Sequence, residues 1–175
     1  DISEIYFEVE TITAHQDWAI KFCGMLEAFN TSRDKPLRFG TNIRVLRDRS
    51  FKNLFEAFKK AGFSYINIGI ESGSERVRRE VLRRNYSNED LIRNCFEARS
   101  AGLRINAYNM IGMPGETLED FQETLDINRK ILPEGNFLSI FYPYPGTELH
   151  RICVERGLKV ELEEDSAERF RAVLG

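Results

Sequence analysis

Residues 68–74 read IGIESGS, that is Ile68-Gly69-Ile70-Glu71-Ser72-Gly73-Ser74, and they close a nearly continuous apolar run that begins at Tyr65. Such a run fits a buried strand, expected to be covered on both faces. The Glu-Ser-Gly-Ser break after it, followed by charged helix formers, fits a strand-to-helix junction. Two further stretches repeat the arrangement, NMIGMPGET at 109–117 and FYPYPGTEL at 141–149. In parallel α/β folds the loops at the C-terminal ends of strands are free to vary and carry the function. Three junctions bearing Gly, Pro and carboxylates therefore mark one shared rim.

The same pattern extends in both directions. Upstream, Ile5 to Val9 is a short β-rich run; Thr13 to Gln16 has capping-box spacing, and Trp18, Ile20, Phe22, Cys23, Leu26 and Phe29 form a helical stripe behind it. Pro36 precedes a second strand, Leu37 to Val45, and a helix carrying Phe51, Leu54, Phe55 and Phe58 ends at Gly62, a plausible C-cap. After the Tyr65–Ile70 strand come two helical pieces, Glu75 to Leu82 and Ser87 to Ala101, the second opened by Ser87 with Asp90 three residues on. A fourth strand, Leu103 to Met110, leads to a helix opened by Thr117 and Asp120; a fifth, Phe137 to Tyr142, leads to one opened by Thr147. The order is β-α five times over, with repeats of roughly 30–40 residues. Right-handed crossovers put every strand's C-terminal end on one side of the sheet. Eight such units close a barrel of about 250 residues. Five leave an open, curved parallel sheet, either doubly wound or part of a TIM-type (βα) barrel. No linker divides the chain: residues 1–158 read as one domain and 159–175 as an acidic C-terminal extension.

Composition narrows the functional classes. The 175 residues include 25 Lys and Arg against 28 Asp and Glu, a formal charge of −3, so no global basic field points to nucleic acid. The local run Arg76, Arg78, Arg79, Arg83 and Arg84 reads as a solvated helix face. No apolar stretch approaches the roughly 20 residues of a membrane span. The three cysteines, Cys23, Cys95 and Cys153, lie far apart in helical stripes and read as small buried hydrophobes in a reducing, cytoplasmic compartment. His15 and His150 have no partner at catalytic spacing.

The expected rim carries Glu8 and Glu10 after the first strand, Asn42 and Arg44 near the end of the second, Glu71 and Ser72 at the third, Met110 and Gly112 at the fourth, and Tyr142 and Tyr144 at the fifth. Carboxylates accept hydrogen bonds from ribose hydroxyls or an ammonium group, and an arginine takes a carboxylate in a bidentate fork. Met and Tyr offer apolar faces to a flat ring. The set suits a zwitterionic nucleoside better than a polyphosphate. Arg44 has a duller reading as well, pairing with Glu8 or Glu10 to stabilise the rim. No Walker loop, dinucleotide fingerprint or nucleophile–base pair is present.

Taken together, IGIESGS, IGMPGET and YPYPGTEL in this order resemble the radical S-adenosylmethionine (SAM) enzymes, over about residues 4–158. The nearest subgroup often carries a cobalamin-binding domain ahead of the radical domain and includes anaerobic magnesium-protoporphyrin IX monomethyl ester cyclases and related methyltransferases. The resemblance implies a partial TIM-type barrel that holds a 4Fe-4S cluster and SAM at its strand ends. It also implies a reductive cleavage of SAM to a 5′-deoxyadenosyl radical, a small-molecule substrate, and a reductant such as flavodoxin or ferredoxin. By the same resemblance, the acidic end of IYFEVET (Glu8, Glu10) approaches the methionine amino group, and Asn42 or Arg44 in TNIR faces the ribose or carboxylate. Glu71 and Ser72 hydrogen-bond SAM, Met110 and Gly112 pack on adenine, and Tyr142 to Tyr144 border it. Many members of the subgroup have paired aspartates where this chain has Glu8, Val9 and Glu10.

The family's CxxxCxxC cluster loop is absent from this sequence. The expectation is therefore an excised part of a longer enzyme that lacks strand one and the cluster loop, and that neither assembles a cluster nor cleaves SAM by itself. Self-association through the exposed Ile5–Val9 edge is expected with it. The competing readings are a degenerate, non-catalytic binding module of the same fold, and a cluster-free aldolase or isomerase. The last would need a lysine or an acid–base pair at a strand end, and no lysine occupies one.

Overall fold

Strand order decides between the two architectures that the sequence leaves open. The computed structural model describes residues 2–9 and 11–158, so Glu10 and the acidic extension at 159–175 lie outside the described residues. The five strands are β1 (Glu4–Phe7), β2 (Arg38–Ile43), β3 (Phe63–Glu71), β4 (Arg104–Ile111) and β5 (Gly135–Ile140). They form one sheet in the order β1-β2-β3-β4-β5, and every neighbouring pair is parallel. The helices are α1 (Gln16–Thr31), α2 (Lys52–Ala61), α3 (Glu75–Glu80), α4 (Asn88–Ser100), α5 (Leu118–Ile131) and α6 (Glu148–Glu155). Strands that follow chain order, joined by right-handed crossovers, put every helix on one face of the sheet. A doubly wound sheet would reverse direction part-way and cover both faces. The fold is the curved five-stranded sheet of a partial TIM-type barrel.

Burial along β3 shows the consequence. Ile66, Ile68 and Ile70 are wholly buried against the helices, whereas Tyr65, Asn67 and Gly69 alternate with them on the opposite, concave face. The strand is therefore covered by helices on one face only, which corrects the expectation of two. On β2, Phe39, Thr41 and Ile43 point to the helices, and on β4 Ile105, Ala107 and Asn109 do. Phe39, Phe51, Phe55, Phe58 and Phe63 are buried between sheet and helices, with the rings of Phe58 and Phe63 stacked at 4.5 Å between centroids.

Helix boundaries follow the local chemistry in most places. Ser87 and Thr117 each cap the backbone N–H of an aspartate three residues on (Asp90, Asp120), and that aspartate returns the bond to the cap. Thr147 caps α6 through the His150 N–H, and Gly62 ends α2 at φ 106°. β1 and β2 stop at Phe7 and Ile43, short of the expected Val9 and Val45, and two further boundaries differ from expectation. Thr13 does not cap α1: it lies in a 3-10 turn, Ile12–Ala14, and its hydroxyl donates to the Arg44 carbonyl at 2.8 Å. The loop after β2 takes the group that spacing assigns to the helix. β5 ends at Ile140, so Tyr142 stands beyond the strand, and the Phe141 N–H donates to the Ile111 carbonyl at 2.7 Å.

The stripe of α1 splits between two faces. Ala19 and Cys23 enter the core, while Trp18, Met25 and Phe29 are exposed, Trp18 lying stacked on Phe22 at 5.4 Å. Beside them β1 is an edge strand with Ile5 exposed, flanked by exposed Ile2 and Val9. Among the described residues no helix is long and apolar enough to cross a membrane.

Asn30 fastens the far end of this layer. Its amide donates to the Leu37 and Ala61 carbonyls at 2.9 and 3.1 Å and accepts from the Leu37 N–H at 2.8 Å, tying the end of α1 to the start of β2 and the end of α2. Replacing it with alanine strands three backbone groups in a buried place. Asn30→Ala should lower stability by about 3 kcal/mol, read as a shifted urea midpoint with an unchanged slope.

Candidate functional site

The C-terminal ends of the strands are shaped by interlocked turns. Gly73, between β3 and α3, lies against the backbone of α5, and a Cβ there would sit on the Glu123 carbonyl. Its N–H donates to the Thr124 hydroxyl at 2.8 Å, and the Ser74 hydroxyl donates to Asp120 at 2.6 Å. Arg76 reaches the same Asp120 carboxylate and also donates to the Gly115 carbonyl at 2.8 Å. IGIESGS and IGMPGET are thus fastened to each other through α5.

A buried cation backs the first turn. Arg78 is wholly buried; it donates to the Ser72 carbonyl at 2.6 Å and to the Asn88 side-chain carbonyl at 2.7 Å, with its guanidinium 4.9 Å from the centre of the Tyr86 ring. Burial lowers its pKa, and Tyr86, Glu75 and Glu123 partly offset that. The arginine run is a solvated face only at Arg79 and Arg83, whose side chains are exposed. Arg76 and Arg78 hold turns, and Arg84 enters the mouth. Arg83 adopts φ 54°, and beyond it the Arg84 N–H donates to the Arg78 carbonyl at 2.8 Å. The signal for this was available: Glu75–Glu80 contains one apolar residue, Val77, too little to hold a helix by a core stripe alone.

Glu71 is the acid at the centre of the rim. A register shift between Gly69 and Glu71 bulges the end of β3, and Glu71 takes φ 63°, a left-handed conformation uncommon for a side-chain-bearing residue. Its carboxylate folds back over Gly69, where a Cβ would collide with it, and lies 3.1 Å from Arg84. Burial raises the carboxyl pKa, with Arg84 and Arg44 pulling it back.

The other expected site residues divide. Arg44 follows β2, exposed, within electrostatic reach of Glu71. Glu8 follows β1, exposed, and Tyr6 feels its charge. Met110 is on the concave face of β4 opposite Ser139. Gly112 has φ 82°, gives its N–H to Glu116 at 2.6 Å, and has open space where a Cβ would be, with Ile140 at 4.0 Å. The rings of Tyr142 and Tyr144 meet edge to face at 5.1 Å. Ser72 is turned away from the mouth, wholly buried, its hydroxyl 3.5 Å from that of Thr124. Asn42 lies deeper in the sheet, where its carbonyl accepts from the Tyr6 hydroxyl. Sequence reasoning passed over Arg84 and the concave-face residues Tyr6, Asn67 and Asn106.

The thiols do not fit an iron–sulfur cluster. Cys23, Cys95 and Cys153 are buried in three different helices, and burial pushes Cys23 and Cys95 up to about 12. Among the described residues no group of three His, Cys, Asp or Glu side chains is placed to hold a metal ion.

A sheet of five parallel strands in chain order, with its helices on one face, defines the core of a TIM-type barrel. The chain belongs to the radical SAM superfamily, whose family model matches residues 3–127. It is 27% identical over 173 aligned residues to the cytidylyl-2-hydroxyethylphosphonate methyltransferase of Streptomyces wedmorensis, covering 93% of this chain and 30% of that protein. It is 25% identical over 162 residues to the anaerobic magnesium-protoporphyrin IX monomethyl ester cyclase of Rubrivivax gelatinosus, covering 93% and 28%. Among solved structures it resembles the radical SAM methyltransferase TsrM of Kitasatospora setae, solved with cobalamin and a [4Fe-4S] cluster bound. That match has a TM-score of 0.73 at 18% identity and covers 88% of this chain and 31% of that one. The chain spans under a third of the length of the two curated relatives.

Asp120 yields a test of the turn lock. Burial alone would raise its pKa, but Arg76, Ser74 and Thr117 hold the carboxyl well below the usual carboxylate range. A depressed folded pKa gives stability that is present above the unfolded value near 4 and is lost as pH falls below it. Asp120→Asn should cost about 1.5 kcal/mol at pH 7 and flatten the stability profile below pH ~4, measured by denaturant titration from pH 7 to 2.

Proposed function

We propose that the rim binds S-adenosylmethionine, and that the chain is the core of a radical SAM iron–sulfur oxidoreductase related in function to magnesium-protoporphyrin cyclases and cobalamin-dependent methyltransferases. The observation that carries this is Glu71. A residue held at φ 63° on a bulge, its acid folded over a glycine, paired with Arg84 and within electrostatic reach of Arg44, is arranged to meet a ligand with both cationic and hydroxyl groups.

Roles for the neighbouring groups follow from their chemistry. Glu71 accepts from ligand N–H or O–H groups, and Ser72 acts indirectly by seating the turn on α5. Arg44 takes the ligand carboxylate as a fork, joined by Arg84 once it turns from Glu71. Glu8 and Glu10 draw the ammonium group, and Asn42 lies towards the ribose. Met110 and the open α-carbon of Gly112 receive the adenine, with Tyr142 and Tyr144 at its border. S-adenosylmethionine supplies one-electron chemistry at carbon, and the protein's part is to hold it and exclude water. Residues 1–158 are the five βα units that do this, with 159–175 as an extension. Cobalamin, where used, belongs outside these units. The partners are a small-molecule substrate and a flavodoxin- or ferredoxin-type reductant, and the compartment is the cytoplasm.

A titration of the 15N-labelled chain with S-adenosylmethionine tests the assignment. Shifts should concentrate at 69–72, 110–112 and 142–144, and Glu71→Gln should weaken binding about tenfold by removing charge-assisted hydrogen bonds. Shifts confined to the helical face would overturn it.

The exposed apolar edge of β1 and the Trp18–Met25–Phe29 stripe are proposed to pair two copies of the chain when nothing else covers them. Sedimentation equilibrium should show a concentration-dependent dimer that Ile5→Lys weakens; a monomer across the accessible range would rule this out.

A further inference from the structure

The concave face below the rim carries a row of side chains of which the S-adenosylmethionine assignment draws only on Asn42, at its end. Asn42, Asn67 and Asn106 stand at one level of β2, β3 and β4, opposite one another in register, and Gly135 continues the level on β5. Asn106 donates its amide to the Asn67 carbonyl at 3.0 Å, and Asn67 donates to the Tyr6 hydroxyl at 3.0 Å. Tyr6 in turn donates to the Asn42 carbonyl. The bonds pass from β4 to β3 and on to Tyr6 of β1, which turns back to Asn42 of β2, so each amide orientation is fixed by its neighbour. Gly135 has a part in this, since a Cβ there would strike the Asn106 carbonyl oxygen.

Counting donors shows what the row lacks. Each asparagine amide carries two N–H groups. Among the described residues, no hydrogen bond takes the amide nitrogen of Asn42, and Asn67 and Asn106 each spend one N–H on the row. Four N–H groups thus remain, against one carbonyl oxygen, that of Asn106, which accepts nothing. The row asks for acceptors. Stacked aromatics flank it on both sides: Tyr6 with Tyr65 at 6.4 Å and 4°, and Tyr108 with Phe137 at 4.8 Å and 15°. Tyr108 and Phe137 sit on the rim side, 39% and 47% exposed, enough to offer ring surface to a ligand.

We propose that this face seats the second reactant, a planar conjugated ring with carbonyl or imine acceptors along one edge. The acceptors meet the Asn42, Asn67 and Asn106 N–H groups, and the ring lies against Tyr108 and Phe137. The proposal takes the rim site for S-adenosylmethionine as given and names the substrate class for the space beneath it. Flatness is selected by the aromatic pair, and edge chemistry by the amide row, whose unpaired N–H groups penalise a ring without acceptors.

Three probes separate the elements of this selection: 4-quinolone, which is flat with a ring carbonyl; its octahydro analogue, which keeps the carbonyl and loses planarity; and naphthalene, which is flat without an acceptor. Each is titrated into the 15N-labelled 175-residue chain while the asparagine side-chain amide signals are followed by NMR. 4-Quinolone should shift the Asn42, Asn67 and Asn106 signals and bind at least about fivefold more tightly than either other probe. Asn106→Ala and, independently, Asn67→Ala should each weaken 4-quinolone about fivefold without moving the S-adenosylmethionine shifts at 69–72. Equal binding of the three probes, or amide signals that 4-quinolone leaves still, would overturn the proposal even where the rim responds to S-adenosylmethionine. A chain whose rim ignores S-adenosylmethionine while the amide row binds 4-quinolone would fail the rim assignment and keep this one.

Discussion

The contact between Gly73 and the backbone of α5 governs the arrangement of the rim. Only a residue without a Cβ lets the turn after β3 lie on the Glu123 carbonyl. That approach brings the Gly73 N–H to Thr124 and the Ser74 hydroxyl to Asp120. With these bonds made, the carbonyls of the turn face the other way, towards Arg78 and Asn88, which take those of Ser72 and Gly73 at 2.6 and 3.0 Å. A turn held on both sides leaves β3 one direction in which to end. It ends with Glu71 bulged and folded over Gly69, at the mouth.

The one-sided sheet sets a second constraint. Parallel sheets are ordinarily buried on both faces, and their strands read as continuous apolar runs. Here all crossovers fall on one face, so the concave side of five strands is lined by its own side chains leaning across glycines. Tyr65 covers Gly40, Glu71 covers Gly69 and Asn106 covers Gly135. Each glycine makes room for a polar neighbour, and each neighbour has its own partner: Tyr65 donates to Glu4, Glu71 pairs with Arg84 and Asn106 donates to Asn67. A concave face built this way keeps its groups oriented without filling the space above them.

Much of the fold was legible because it rests on short-range chemistry. The Ser87–Asp90 and Thr117–Asp120 boxes, Gly62 as a C-cap and Thr147 as a helix start depend on residues within four positions of each other, and the structure has them all. Where long-range partners compete, the reading failed. Thr13 gives its hydroxyl to Arg44, 31 residues away, and so does not cap α1. Arg78 and Arg84 read as a solvated face because a run of like charges shows no sign of what folds over it; Tyr86, Ser72 and Glu71 supply the partners. The apolar run of β3 concealed its alternation because Tyr65 and Gly69 count as unpolar in a window, although both face the concave side.

The residues quoted in the motifs serve two different physical ends, and their hydrogen bonds tell them apart. Ser72, Gly73, Ser74 and Asp120 spend their bonding capacity on each other and on α5. They are bound by architecture and have little left to give a ligand. Glu71 differs: a left-handed backbone in a non-glycine residue costs on the order of 1–2 kcal/mol, and burial of its carboxylate adds to that cost. A lone ion pair with Arg84, a quarter exposed, returns only a modest part of this. Strain of this kind persists where the surrounding structure over-determines it, as the Gly73 contact does, and it collects where ligands are met. The glycine that looks most like a ligand-binding residue is therefore the scaffold, and the strained acid two positions before it is the group that the rim proposal gives to the ligand.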